Sequence, residues 1–223
     1  MYILYGGGFT RAHMIEMVFA EVAVPFVVKL IDTFKGENKT PQFLEINPTG
    51  FVPALRTPEG EVLFETAAIN LYLAERHGTG LLVPATDDPN RGLFLSSLFY
   101  ITDELEPALK RYFYPNRYGV HTCDEVEIRE KSLKSIIHML DVINKQLTKE
   151  GPFHLGDRYS LVDLMLCFWM NSIMDKNKVS HFNSINRCVN RVEERPNLQR
   201  LFTNLKERTK AYAEIDKRGE RIP

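Results

Sequence analysis

A chain of 223 residues is long enough for one large domain or two small ones, because single domains run to about 100 to 200 residues. Its 44% apolar and 26% charged residues are those of a globular protein and exclude a disordered or fibrous one. Lys plus Arg number 28 against 29 Asp plus Glu, so the composition offers no footprint for nucleic acid or an anionic membrane.

The longest wholly apolar run, Leu164 to Met170, is far short of the roughly 18 residues a membrane helix needs, and Met1 to Tyr5 lacks the charged start of a leader. A cytoplasmic protein is expected. Cys123, Cys167 and Cys188 form no Cys-x-x-Cys pair, and the histidines show no metal-ligand spacing. Neither a disulfide framework nor a metal is expected.

Tyr2 to Tyr5 reads as a strand, and Arg11 to Val22 as a helix with Met14, Ile15, Val18, Phe19 and Val22 on one face. Phe26 to Ile31 is a second strand, and Thr40 with Pro41 opens a short helix. After the turn Asn47-Pro48-Thr49-Gly50, Val52 to Thr57 and Glu61 to Phe64 form a hairpin. Ala67 to His77 is helical, with Ile69, Tyr72 and Leu73 as its stripe. The order is βαβαββα.

Pro, Asp and Thr then dominate, which places a linker at 81–90 between a first domain, 1–80, and a helical one, 91–223. Arg91 to about Tyr114 and Asp124 to Glu150 read as long helices, with Thr122 and Glu125 as capping residues for the second. Ser160-Leu161-Val162-Asp163 fits a capping box, and the all-apolar stretch that follows must be buried. Cys167 within it reads as packing.

Three features in order, Asn47 to Leu55 with its Val52-Pro53, then Glu65-Thr66, then the capped buried helix, resemble the cytosolic glutathione transferase family, of bacterial type. The resemblance covers nearly the whole chain and implies an α/β plus all-α fold: a thioredoxin-like, glutathione-binding N-terminal domain followed by an all-helical one. It also implies a cis Val52-Pro53 bond and a Val52 backbone that pairs with the cysteinyl part of glutathione like an added strand. Glu65 would take the ligand's ammonium, and Thr66, where a strand hands over to a helix, its carboxylate. Lys35 or Lys39 is placed for the glycine carboxylate, Lys35 being favoured, although lysines on such a loop are usually solvated.

The nucleophile is then the ligand's own thiol, and no other cofactor is expected. Family members place a Ser, Tyr or Cys near the end of the first strand or the start of the first helix, whereas this loop reads Tyr5-Gly6-Gly7-Gly8-Phe9-Thr10-Arg11. Thr10 is the first choice to hold the thiolate. Tyr5 is the second, although its place on a central strand favours packing, and Arg11 would add positive charge. Phe9, Arg111 and Tyr112 are expected to line the electrophile pocket, and a homodimer is expected.

The function implied is conjugation of glutathione to a hydrophobic electrophile in detoxification. The alternatives are a non-catalytic glutathione-binding or interaction protein, or a glutathione-dependent isomerase, dehalogenase or peroxidase. A thiol-disulfide oxidoreductase of the glutaredoxin or omega kind needs a cysteine near the first helix, and none precedes Cys123.

Overall fold

The computed structural model describes residues 1–7, 10–173 and 175–217. The chain divides into two compact units, Met1–Val83 together with Glu194 onward, and Pro84–Glu193. Among the described residues no helix is long and apolar enough to cross a membrane.

The first unit is built on strands β1 (Tyr2–Gly6), β2 (Phe26–Leu30), β3 (Ala54–Arg56) and β4 (Val62–Phe64) in the order β2-β1-β3-β4. The first pair is parallel and the others antiparallel, with Tyr5 opposite Lys29 on one side and Ala54 on the other. β3 is shorter than the expected Val52 to Thr57, because Pro53 has no N–H to give a ladder. Helices α1 (Ala12–Val22), α2 (Pro41–Leu44) and α3 (Thr66–His77) complete the βαβαββα order.

Alternation along the strands separates two apolar layers. Tyr5 and Ala54 pack with Phe43 of α2. Tyr2 lies on the other face, where its ring meets Phe19 of α1 at 5.4 Å and Phe19 stacks on Phe26 at 4.3 Å. Thr40 caps α2 as its sequence announces, its hydroxyl accepting the Phe43 N–H at 3.4 Å.

Helix α1 is buried well beyond the expected stripe, with His13, Met17 and Glu21 also enclosed. The reason is α9 (Gln199–Lys217), which packs on α1 within the first unit. His13 Nε2–H donates to the Leu201 carbonyl at 2.8 Å, since its Nδ1 receives Arg208 at 3.3 Å. Arg195 Nε donates to the Glu21 carboxylate at 2.8 Å. The last helix, grouped by sequence with residues 91–223, therefore sits in the first unit.

The second unit holds α4 (Arg91–Phe99), α5 (Glu106–Phe113), α6 (Asp124–Glu150), α7 (Leu161–Ser172) and α8 (Asn183–Glu193). The single helix expected over 91–114 is interrupted by a π-helical turn at Tyr100–Leu105. Pro107 lacks an N–H, and the Glu106 N–H bonds five residues back to Ile101. Helix α6 has Cys123, not Thr122, at its cap position. Asp124 serves the preceding loop, accepting the N–H groups of Val120 and His121 at 3.0 and 2.9 Å.

The capping box of α7 is formed: the Asp163 carboxylate accepts the Ser160 N–H and hydroxyl, each at 2.9 Å. Its other oxygen takes the His154 N–H at 2.9 Å and Nδ1 at 2.8 Å. The segment expected as a linker is divided, with Leu82 and Val83 buried in the first unit and Asp88 paired to Arg158 at 2.6 Å in the second.

Replacing Arg195 by Met is expected to strand the buried Glu21 carboxylate and destabilise the protein by about 3 to 5 kcal/mol. The double variant Glu21→Met/Arg195→Met should recover most of that loss in denaturant unfolding. A double variant no more stable than Arg195→Met would show that the loss does not come from an unpaired Glu21 carboxylate.

Candidate functional site

Strand β1 ends in a glycine turn, with φ of 149° at Gly6 and 104° at Gly7. A Cβ on Gly6 would stand 2.7 Å from Ala12 Cβ, 3.5 Å from Thr10 Oγ1 and 3.8 Å from Pro53 Cα. Three segments meet at this point: the strand end, the start of α1 and the Val52–Pro53 loop. Only glycine permits so close an approach.

The Thr10 hydroxyl donates to the Gly7 carbonyl at 2.8 Å and accepts the Ala12 N–H at 3.3 Å. It thereby closes the turn and takes up one orphan donor of the helix start. Arg11 stands at the N-cap position in helical conformation and makes no side-chain cap.

The Val52-Pro53 bond is cis, as the resemblance implied. The loop before it is held by two buried amides that the sequence reading passed over. Asn47 Nδ2 donates to the Phe51 carbonyl at 2.7 Å, while its Oδ1 accepts the Thr49 N–H and hydroxyl at 3.2 and 2.9 Å. Asn38 Nδ2 donates to the Gly50 carbonyl at 2.7 Å.

Asn-Pro-Thr-Gly announces a turn, and an Asn at its head is the signal for such a post. Nothing local marks Asn38. Lys39 Nζ lies 4.7 Å from the centre of the Phe51 ring and against Gly50. Lys35 instead pairs with Asp32 at 3.3 Å, with its side chain three-quarters exposed (76%).

Glu65 has φ 67° and ψ 120°, a strained setting for a residue with a Cβ. Its carbonyl accepts the Ile69 N–H at 3.0 Å, and its carboxylate is exposed and caps nothing. Thr66 is the first residue of α3, with a buried hydroxyl that has no hydrogen-bond partner among the described residues. A helix start without a side-chain cap, beside an exposed carboxylate, suits a zwitterion: anion to the amides, ammonium to Glu65.

Tyr5 is 2% exposed and packed with Phe43 and Ala54. Lys29 and Arg56 each stand 5.7 Å from its ring centre. It borders a surface depression lined also by Lys29, Glu37, Gln42 and Phe43. The expected pocket residue Phe9 lies outside the described residues.

Arg111 and Tyr112 lie on α5 of the second unit, both partly exposed. The Tyr112 hydroxyl accepts Lys178 Nζ at 3.3 Å, and its carbonyl accepts Arg129 at 3.0 Å. Cys167 and Cys188 are buried. Burial, with Asp163 close by, pushes the Cys188 thiol far up and keeps it protonated.

Two family models match the chain: the glutathione S-transferase N-terminal domain over residues 10–76 and the C-terminal domain over residues 107–204, together well over half of it. Disulfide-bond oxidoreductase YfcG of Escherichia coli (strain K12) is 28% identical over 201 residues, 86% of this chain and 90% of that protein. Probable elongation factor 1-gamma 1 of Arabidopsis thaliana is 29% identical over 178 residues, 76% of this chain but 41% of that protein. Among solved structures, the glutathione transferase URE2P6 of Phanerochaete chrysosporium in complex with oxidized glutathione aligns with a TM-score of 0.82 at 19% identity, over 93% of this chain and 97% of that one. That likeness shows the fold, a thioredoxin-like domain followed by a helical one.

Two glycine variants separate crowding from backbone strain. Gly36→Ala, at φ 73° with nothing within 4 Å of the added atom, should cost about 1 kcal/mol. Gly6→Ala should cost about 3 kcal/mol, because overpacking adds to the strain. Equal losses in thermal unfolding would disprove the close approach.

Proposed function

The chain belongs to the glutathione S-transferase family, and from that premise we propose that it binds glutathione across the end of β1, the Val52–Pro53 loop and the start of α3, and conjugates the bound thiol to a hydrophobic electrophile. The observation that carries this reading is the approach of Thr10 Oγ1 and Pro53 to the same point beside Gly6. A peptide paired to the Val52 backbone would bring its cysteinyl group to the start of α1.

Glu65 takes the ammonium of the γ-glutamyl end, and the amides and hydroxyl at Thr66 take its carboxylate. Lys39 serves the glycine carboxylate better than Lys35, because it lies against the loop while Lys35 is engaged with Asp32. Tyr5 packs the sheet and is given no catalytic part.

Lowering a thiol by two pKa units from about 8.5 needs about 2.7 kcal/mol of preference for the anion. In the free protein the Thr10 hydroxyl already serves the Gly7 carbonyl. Turning it to the sulfur exchanges a neutral bond worth about 1 kcal/mol for a charge-assisted one of about 1.5 to 3. The net gain is about 0.5 to 2 kcal/mol, so the α1 dipole and Arg11 must supply the rest. The thiolate attacks the electrophilic carbon, a C–S bond forms, and the leaving group departs with its electron pair.

A second reading is thiol–disulfide exchange from the same thiolate, favoured by the relative named a disulfide-bond oxidoreductase. The bound thiolate attacks a disulfide sulfur, forms a mixed disulfide and expels the other sulfur as thiolate. A binding protein without turnover is the remaining alternative.

Turnover with a chloronitrobenzene and with a small disulfide separates these readings. Thr10→Val is expected to lower kcat/KM about tenfold and to raise the acid limb of its pH profile by about one unit, while Tyr5→Phe changes neither. Full turnover in both variants would transfer the thiolate to Arg11 or the backbone amides. Calorimetric binding of glutathione without either turnover would leave the binding protein.

A further inference from the structure

The enclosed face of α3 carries three polar atoms with almost no accessible surface and no hydrogen-bond partner among the described residues: Thr66 Oγ1, Asn70 Oδ1 and Asn70 Nδ2. Asn70 is 0% exposed, between Ile69 and the equally enclosed Leu73 and Ala74. The other buried asparagines are satisfied: Asn38 by Gly50, Asn47 by Phe51, and Asn171 by Cys167 and Glu193. A whole amide left unpaired in a core is strongly unfavourable, and a leucine would fill the place without that cost. A polar side chain there calls for a polar partner.

Thr66 and Asn70 are four residues apart on one helix, so they share a face and their Cβ atoms stand about 5 to 6 Å apart. A water bridging them needs two to four polar partners. The two side chains offer three polar atoms, and the first-turn amides of α3 have no intrahelical acceptor. We propose that Asn70 is a positioning residue for the start of α3, acting through a buried water held between its amide and the Thr66 hydroxyl. The water accepts from Asn70 Nδ2–H and donates to Thr66 Oγ1. The Thr66 hydrogen is then left to donate to an incoming carboxylate.

The inference rests on the glutathione reading of this site and assigns the γ-glutamyl carboxylate as the group that Asn70 helps to recognise. Asn70→Leu is expected to raise the KM for glutathione about fivefold, leave kcat unchanged, and leave the melting temperature equal or higher. Asn70→Ala, which cannot overpack, should show the same rise in KM. In a Thr66→Val background neither change should have a further effect, because no hydroxyl remains to be oriented.

A crystal structure of the ligand-free protein should show the water, and Asn70→Leu should lose it. An unchanged KM, a fall in kcat alone, or an equal KM effect with and without the Thr66 hydroxyl would overturn the inference while leaving the glutathione reading intact. Absence of glutathione binding by the unmodified protein in calorimetry would overturn that reading and this inference with it.

Discussion

The close approach at Gly6 is the constraint on which the candidate site depends. The end of β1, the start of α1 and the Val52–Pro53 loop meet there, so a side chain at Gly6 would collide with Ala12 and crowd both Thr10 and Pro53. The backbone leaves the strand with positive φ at Gly6 and Gly7. Thr10 closes that path through the Gly7 carbonyl. The position of its hydroxyl is therefore a property of the backbone turn and does not wait on a ligand.

Buried polar side chains fix the non-helical chain in both units. Asn47 and Asn38 shape the loop before Pro53. In the second unit Asp163 gathers five donors from Ser160, His154 and Cys188 and so fixes the entry into α7. Each such bond contributes about 1 kcal/mol net, but losing a partner inside costs more, so these groups select one geometry more than they add stability. Thr66 and Asn70 depart from this rule.

Elements with local cues were legible in the sequence: α2 from Thr40-Pro41, α7 from Ser160 and Asp163, and α6 from its helical period. What was not legible depends on partners far along the chain. The bonds from His13 to Leu201 and from Glu21 to Arg195 span 188 and 174 residues, and no periodicity in α1 announces them. The π-helical turn follows from Pro107, but a proline in a helical pattern does not say whether the chain will kink, stop or widen. Thr10 and Tyr5 were both eligible by chain position. The pleat separates them, because it turns Tyr5 toward Phe43 and leaves Thr10 on the turn beside Pro53.

The modest strength of a threonine hydroxyl bears on which chemistry the site can complete. Conjugation and disulfide exchange start from the same thiolate and differ in what leaves: a halide or similar group in one, a thiolate in the other. Exchange leaves a glutathione mixed disulfide that is not bonded to the protein, and reducing it further takes a second thiol. All three cysteines lie in the second unit; two are buried, and Cys188 is held protonated by its surroundings. The first unit contains no thiol of its own, and a second glutathione from solution can supply the thiol for that reduction. Conjugation needs no such partner, and its product leaves in one step.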